Sequence, residues 1–171
     1  MKKIAIPFLA VLYFSCHSSK NAPKTAPVTI NSSCPEDGIC DFEILPNKSI
    51  EIKTDSFGKI YYELTENTDS EVYHYNFSEK VTDTTLADAS YREEILFELK
   101  KNSEVNLSNE KLQETKMLFG VFCFCKGKAG YYTVNKGFLS KTKDQVKLTI
   151  SDVVSNQKTK QISGKIKKGA K

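Results

Sequence analysis

Gln145-Val146-Lys147-Leu148-Thr149-Ile150 alternates polar and apolar side chains without a break. A period of two puts Val146, Leu148 and Ile150 on one face and Gln145, Lys147 and Thr149 on the other, as in a strand with one buried and one wet face. The same period runs upstream from Cys40. Residues 41–45 and 50–54 read as short strands separated by Pro46-Asn47-Lys48. Ile60, Tyr62 and Leu64, then Tyr73, Tyr75 and Phe77, then Ile95, Phe97 and Leu99 each alternate with other residues, His74 and Glu98 among them, so each run predicts a half-buried strand. One stretch departs from the pattern. Met117-Leu118-Phe119-Gly120-Val121-Phe122-Cys123-Phe124-Cys125 is apolar on both faces, which predicts a central strand covered on both sides.

Lys126-Gly127-Lys128-Ala129-Gly130 suits a hairpin loop into a strand at 131–134, and a further short strand starts at Phe138. Residues 109–115 carry a helix-start signal at Ser108 or Asn109, with Leu112 as the only large apolar side chain, enough for one or two turns. Residues 79–90 read as a long polar loop. Eight or nine strands at turn-signalled spacing predict an all-β fold, an antiparallel β-sandwich or a partly open barrel.

The start of the chain is of another kind. Met1-Lys2-Lys3 precedes an apolar run from Ile4 to Phe14, then Ser15-Cys16. The run is too short to span a bilayer, which takes ~20 residues, and has the layout of an export signal ending at a cysteine. Leu12-Tyr13-Phe14-Ser15-Cys16 resembles, in relaxed form, the lipobox of bacterial type II signal peptides. Cys34-Pro35-Glu36-Asp37-Gly38, the 119–125 stretch and Gly130-Tyr131-Tyr132 resemble the shared core of small lipoproteins of the Bacteroidota type. That resemblance implies removal of residues 1–15, lipid on Cys16, attachment to the cell-envelope membrane and an exported β domain. It carries no activity. Residues 16–33, rich in Ser, Lys, Asn, Pro and Thr, read as a flexible tether with too few large apolar groups to offset ordering entropy. Residues 34–168 read as one β domain.

The formal charge of +4 falls to +2 once Lys2 and Lys3 are removed. Residues 158–171 hold six lysines and no acid, which leaves the rest of the mature chain net acidic. Ile162 and Ile166 still alternate with polar residues there, so the tail reads as a solvated last strand, and no nucleic-acid partner is expected.

With Cys16 lipidated, Cys34, Cys40, Cys123 and Cys125 remain, an even number in an oxidising compartment, which suggests two disulfides. In a strand, positions i and i+2 lie ~6.6–6.8 Å apart with parallel side chains, which disfavours Cys123–Cys125. The turn at 35–39 brings Cys34 and Cys40 over one face, so Cys34–Cys125 and Cys40–Cys123 are the favoured pairs. A four-thiolate metal carrier is the competing reading, and exported thiols are usually oxidised. A redox role needs an exposed thiolate of low pKa, and apolar Phe122 and Phe124 speak against it.

No hydrolase, metalloprotease, phosphate-loop or calcium-loop motif occurs, and no cofactor is expected. His74 reads as a surface histidine between two tyrosines. Glu93 and Glu94 are adjacent and point to opposite faces of a strand. Tyr61-Tyr62, Tyr73/Tyr75 and Tyr131-Tyr132 each place a ring outside or at the rim of the core, where an envelope protein or a glycan could bind. The chain therefore reads as a non-enzymatic binding or structural lipoprotein. An envelope hydrolase with an unfamiliar site, or a thiol metal carrier, is the alternative.

Overall fold

The computed structural model describes residues 26–30, 34–81 and 90–166, the first of these as backbone alone. The signal peptide read at 1–15 and the lipidation site Cys16 lie outside the described residues. The chain is all-β. Its strands are β1 (Ala26–Ile30), β2 (Gly38–Thr54), β3 (Ile60–Glu79), β4 (Arg92–Lys100), β5 (Val105–Ser108), β6 (Leu118–Phe122), β7 (Gly130–Thr133), β8 (Gly137–Lys141), β9 (Gln145–Ile150) and β10 (Gln161–Ile166). A 3-10 helix, Asn109–Thr115, buries Leu112 and ends at Lys116 in the left-handed conformation. It meets the expected helical turns.

All pairings are antiparallel. β3, β4, β6 and β7 form a closed four-stranded barrel, sealed where Ile60 pairs with Tyr131. β2 extends this sheet along β3. The order β10-β9-β8-β5 makes the second sheet. β1 pairs with β2 on one side and β10 on the other, and so joins the two. It falls inside the segment read as tether, a correction to that reading. Val28-Thr29-Ile30 is a β-branched run of high strand propensity that the surrounding Ser and Lys concealed.

The main core lies between the sheets. Phe42, Tyr73, Tyr75, Phe77, Phe97 and Phe119 on one side meet Leu139, Val146, Leu148, Ile150 and Ile162 on the other. Tyr73 stacks on its cross-strand partner Phe97, with centroids 4.8 Å apart. β9 buries the three apolar residues that its alternation singles out.

Two elements differ from expectation. Residues 41–45 and 50–54 belong to one strand, bulged between Pro46 and Lys48 with Asn47 at φ 61°. Asn47 stands against residues 67–70 of β3, since Pro46 pairs with Glu71 and Lys48 with Glu66. There the hairpin bends back over the outer face of β3 and β4, and Ile50 packs on Val72 and Leu96 in a second small core with Leu45, Tyr62 and Tyr131. Because of that cover β4, expected to be half-wet, is buried on both faces from Glu93 to Phe97. Glu98 locks the bend: it accepts bonds from the Ile50 N–H (2.8 Å), the Ser49 hydroxyl (2.8 Å), the Ser70 hydroxyl (3.0 Å) and the Lys116 ammonium (2.7 Å). The second difference is that the apolar 117–125 stretch is strand only to Phe122, and the chain then bends away.

Candidate functional site

Both cysteine pairs lie at one end of the first sheet. Pro35 opens a turn whose Gly38 N–H bonds back to the Pro35 carbonyl at 3.0 Å. A side chain at 38 would collide with the Phe77 ring, so only glycine lets the turn lie against the sheet. The turn returns Cys34 to Cys40, with Cα atoms 5.8 Å apart, and the two are bonded. The Tyr75 hydroxyl donates to Cys40 Sγ at 2.9 Å. Lys158 ties the turn to the far strands through Asp37 (2.6 Å), and this bond holds the Asp37 carboxyl below its ordinary value.

Cys123 and Cys125 are bonded to each other. Because the backbone has left β6, their Cα atoms are 5.2 Å apart instead of the ~6.6–6.8 Å of an extended strand. That is within bridging range. The favoured pairs Cys34–Cys125 and Cys40–Cys123 are thus corrected to Cys34–Cys40 and Cys123–Cys125. Register explains why. Cys40 pairs with Phe77, Phe77 with Glu93 and Glu93 with Val121, so β3 and β4 stand between the two cysteine segments, three strand spacings or ~14 Å. Phe124, expected to shield the sulfurs, is 89% exposed.

Two clefts open beside this knuckle. One, about 620 Å³, is lined by Tyr91, Val121, Cys125, Lys128 and residues 154–158. The other, about 610 Å³, is lined by Ser78, Glu79, Tyr91, Arg92, Phe122, Cys123 and Phe124. Arg92 lies over the Phe122 ring, 4.4 Å from its centroid. Tyr91 divides the clefts and donates to the buried Glu93 at 2.6 Å. Burial, reinforced by that carboxylate, pushes the Tyr91 phenol up. Glu93 also accepts the backbone N–H groups of Lys158 and Thr159, each at 2.7 Å, and so anchors the loop that walls the first cleft.

A second cluster lies on the opposite face of β3 and β4. His74, read as a surface residue, is half-buried between Glu43 and Glu94, with Nδ1 and Nε2 each 3.6 Å from a carboxylate oxygen. Those distances are too long for hydrogen bonds, and Nε2 has no partner. Tyr131 donates to Glu94, and Tyr62 does so at 3.4 Å. Burial penalises the Glu94 charge, yet nearby His74 and the Tyr131 hydroxyl outweigh it, and the carboxyl is held below its ordinary value. Burial and the Glu94 charge push Tyr62 up to about 12. Glu93 and Glu94 do point to opposite faces, as adjacent strand residues must. The convergence of His74, Glu43 and Glu94 with two phenols was not legible, because it depends on the β2–β3–β4 register and the folded-back hairpin.

Neither cleft above, nor three smaller ones near Tyr131, Tyr132 and Thr159, is lined by His74, Glu43 or Glu94. The tyrosine platform is also revised. Tyr73 and Tyr75 are both core residues, Tyr62 and Tyr131 turn onto Glu94, and Tyr61 alone of the named rings is largely exposed. Among the described residues no group of His, Cys, Asp and Glu is arranged to hold a metal ion, and no helix is long and apolar enough to cross a membrane. The chain matches no protein-family model, no curated protein and no solved structure.

Proposed function

We propose that this chain is a lipid-anchored domain of the bacterial cell envelope that binds a partner protein through the end of the sheet bearing both cysteine pairs. Lys2-Lys3, the apolar run and Ser15-Cys16 support the address. One observation supports the choice of surface. Ile39, 66% exposed, and Phe124, 89% exposed, flank the row Ser78–Arg92–Phe122, where the second cleft opens. With the Phe122 ring between them, these two side chains extend an apolar strip along the cleft, the kind of surface that suits a protein partner when it is contiguous. The loss of the tyrosine platform moves the reading from glycan toward protein.

The hydrolase alternative rests on His74 with Glu43 and Glu94, which do not line any of the five clefts described above. The metal-carrier alternative needs four thiolates, and the sulfurs are paired two by two. The test is capture from membranes with the anchored chain, compared with Cys16→Ala and with Ile39→Ser/Phe124→Ser. The proposal expects palmitate label on Cys16 and one partner lost in the double variant. Absence of label removes the anchor, and equal capture by the double variant removes the surface.

A further inference from the structure

We infer that Cys123–Cys125 is a reactive disulfide that exchanges with cysteine thiols of other exported polypeptides, whereas Cys34–Cys40 is structural. Three placements carry this. The bridge spans one residue, and closing so short a ring constrains the unfolded chain little, so opening it leaves the fold standing. The knuckle stands off the sheet, with Phe124 in solvent and both cysteines half-buried. Each cysteine borders its own cleft: Cys125 with Val121, Val154 and Lys128, Cys123 with Arg92 and Phe122. Cys34 and Cys40 are half-buried to the same degree, but theirs is a bridge held beneath the Tyr75 hydroxyl in a turn that Lys158 ties down.

The geometry orders the exchange. A thiolate of the incoming polypeptide enters the cleft beside Val154 and attacks Cys125 Sγ. A new S–S bond forms to Cys125, the Cys123–Cys125 bond breaks, and its electron pair leaves on Cys123 as a thiolate, favoured by the Arg92 cation in the second cleft. A second thiolate of the same polypeptide attacks its own sulfur of the mixed disulfide and releases Cys125. The polypeptide has then lost two electrons and closed a disulfide, and the Cys123/Cys125 pair has gained two electrons and, on protonation, two protons. A disulfide-bearing polypeptide runs the steps in reverse and restores the bond.

This inference rests on the exported reading, since an oxidising compartment keeps the pair bonded; its test is chemical, and therefore separable from palmitate labelling of Cys16. The full chain, purified without reductant, is equilibrated with glutathione buffers and alkylated, and each cysteine is read by mass spectrometry. Cys123 and Cys125 are expected to open at a reduced-glutathione level about tenfold or more below that needed for Cys34 and Cys40, with the circular dichroism unchanged. Opening of all four together, or only on unfolding, overturns the proposal. When reduced glutathione attacks the oxidised chain and the reaction is quenched early with an alkylating reagent, glutathione should be found on Cys125 and the alkyl label on Cys123, with about tenfold more of this species than of the converse. Equal labelling of the two cysteines, or glutathione chiefly on Cys123, overturns the assignment of Cys125 as the attacked sulfur.

Discussion

Gly120 and Tyr131 face each other across β6 and β7, and the tyrosine ring occupies the space that a side chain at 120 would fill. A Cβ there would lie 2.7 Å from Tyr131 Cε1 and 3.0 Å from Phe122 Cε2. The interior of a four-stranded barrel is narrow, and one large ring with one missing side chain fills this level of it. Gly120→Ala should therefore destabilise by about 1–3 kcal/mol through overpacking, measured as a shift in the urea midpoint at constant slope. Gly120→Ala/Tyr131→Leu should cost less than the sum of the single variants. A neutral Gly120→Ala would show that the ring has room to move.

Glu93 offers a second test. Its carboxylate receives two backbone N–H groups and a phenol inside the core. Glu93→Gln keeps the size and loses one acceptor, which leaves a buried donor facing another donor. A loss of about 1–3 kcal/mol is expected, together with faster amide exchange at Lys158 and Thr159. Unchanged exchange there would mean that the 151–160 loop is held by other contacts.

Stability should fall at both ends of the pH scale. Glu94 and Glu98 ionise more readily in the fold than at their ordinary value of 4.5: burial alone would raise both, and it is outweighed by His74 and Tyr131 at Glu94 and by Lys116 and the Ile50 N–H at Glu98. The unfolded chain thus binds more protons in this window, and the stabilisation present above pH 4.5 is lost as the pH falls through the lower folded values. Tyr62 has the opposite sign. The fold holds it neutral up to about 12 against an ordinary 10, so its contribution is complete below pH 10 and is lost between pH 10 and 12. Urea titrations across pH 3–7 and 9–12 check both limbs. Glu94→Gln should lessen the slope of the first, leaving the share of Glu98, and Tyr62→Phe that of the second, to which Tyr73, Tyr75, Tyr91 and Tyr131, also pushed up by burial, contribute the rest.

Removal of the two bridges should have unequal effects. Cys34→Ser/Cys40→Ser opens a ring of six-residue separation, for which chain entropy predicts a loss of about 2 kcal/mol. Cys123→Ser/Cys125→Ser should cost less. Thermal denaturation of the two double variants ranks them, and a larger loss at the knuckle would assign it the structural role.

The alternation in β9, the hairpin loop at 126–130, the Leu112 helix turn and the buried aromatic face of β3 were readable, because each follows from side-chain period and turn chemistry within one segment. The cysteine pairing was not. It depends on where β6 stops, and Phe122-Cys123-Phe124-Cys125 continues the apolar pattern past the point at which the backbone bends. β1 was hidden by its composition. The setting of His74 was hidden because Glu43 and Glu94 reach it only through strand register, and because the cover over that face comes from a hairpin arm that turns back on its own sheet.

The bulge at Asn47 inverts the phase of β2. Before it, even-numbered Phe42 and Ile44 face the main core and Leu45 faces the small one; after it, even-numbered Ile50 faces the small one. One residue thus acts as a parity switch for the whole arm. A variant that kept residue 47 but straightened the strand there would leave five regular positions between Leu45 and Ile50, turn Ile50 outward and present the opposite side of the arm to Val72 and Leu96, whereas deleting residue 47 would leave four positions and keep Ile50 facing inward. The polar cluster around His74 thus owes its cover to the conformation of a single residue, the left-handed Asn47, rather than to the length or composition of the strand.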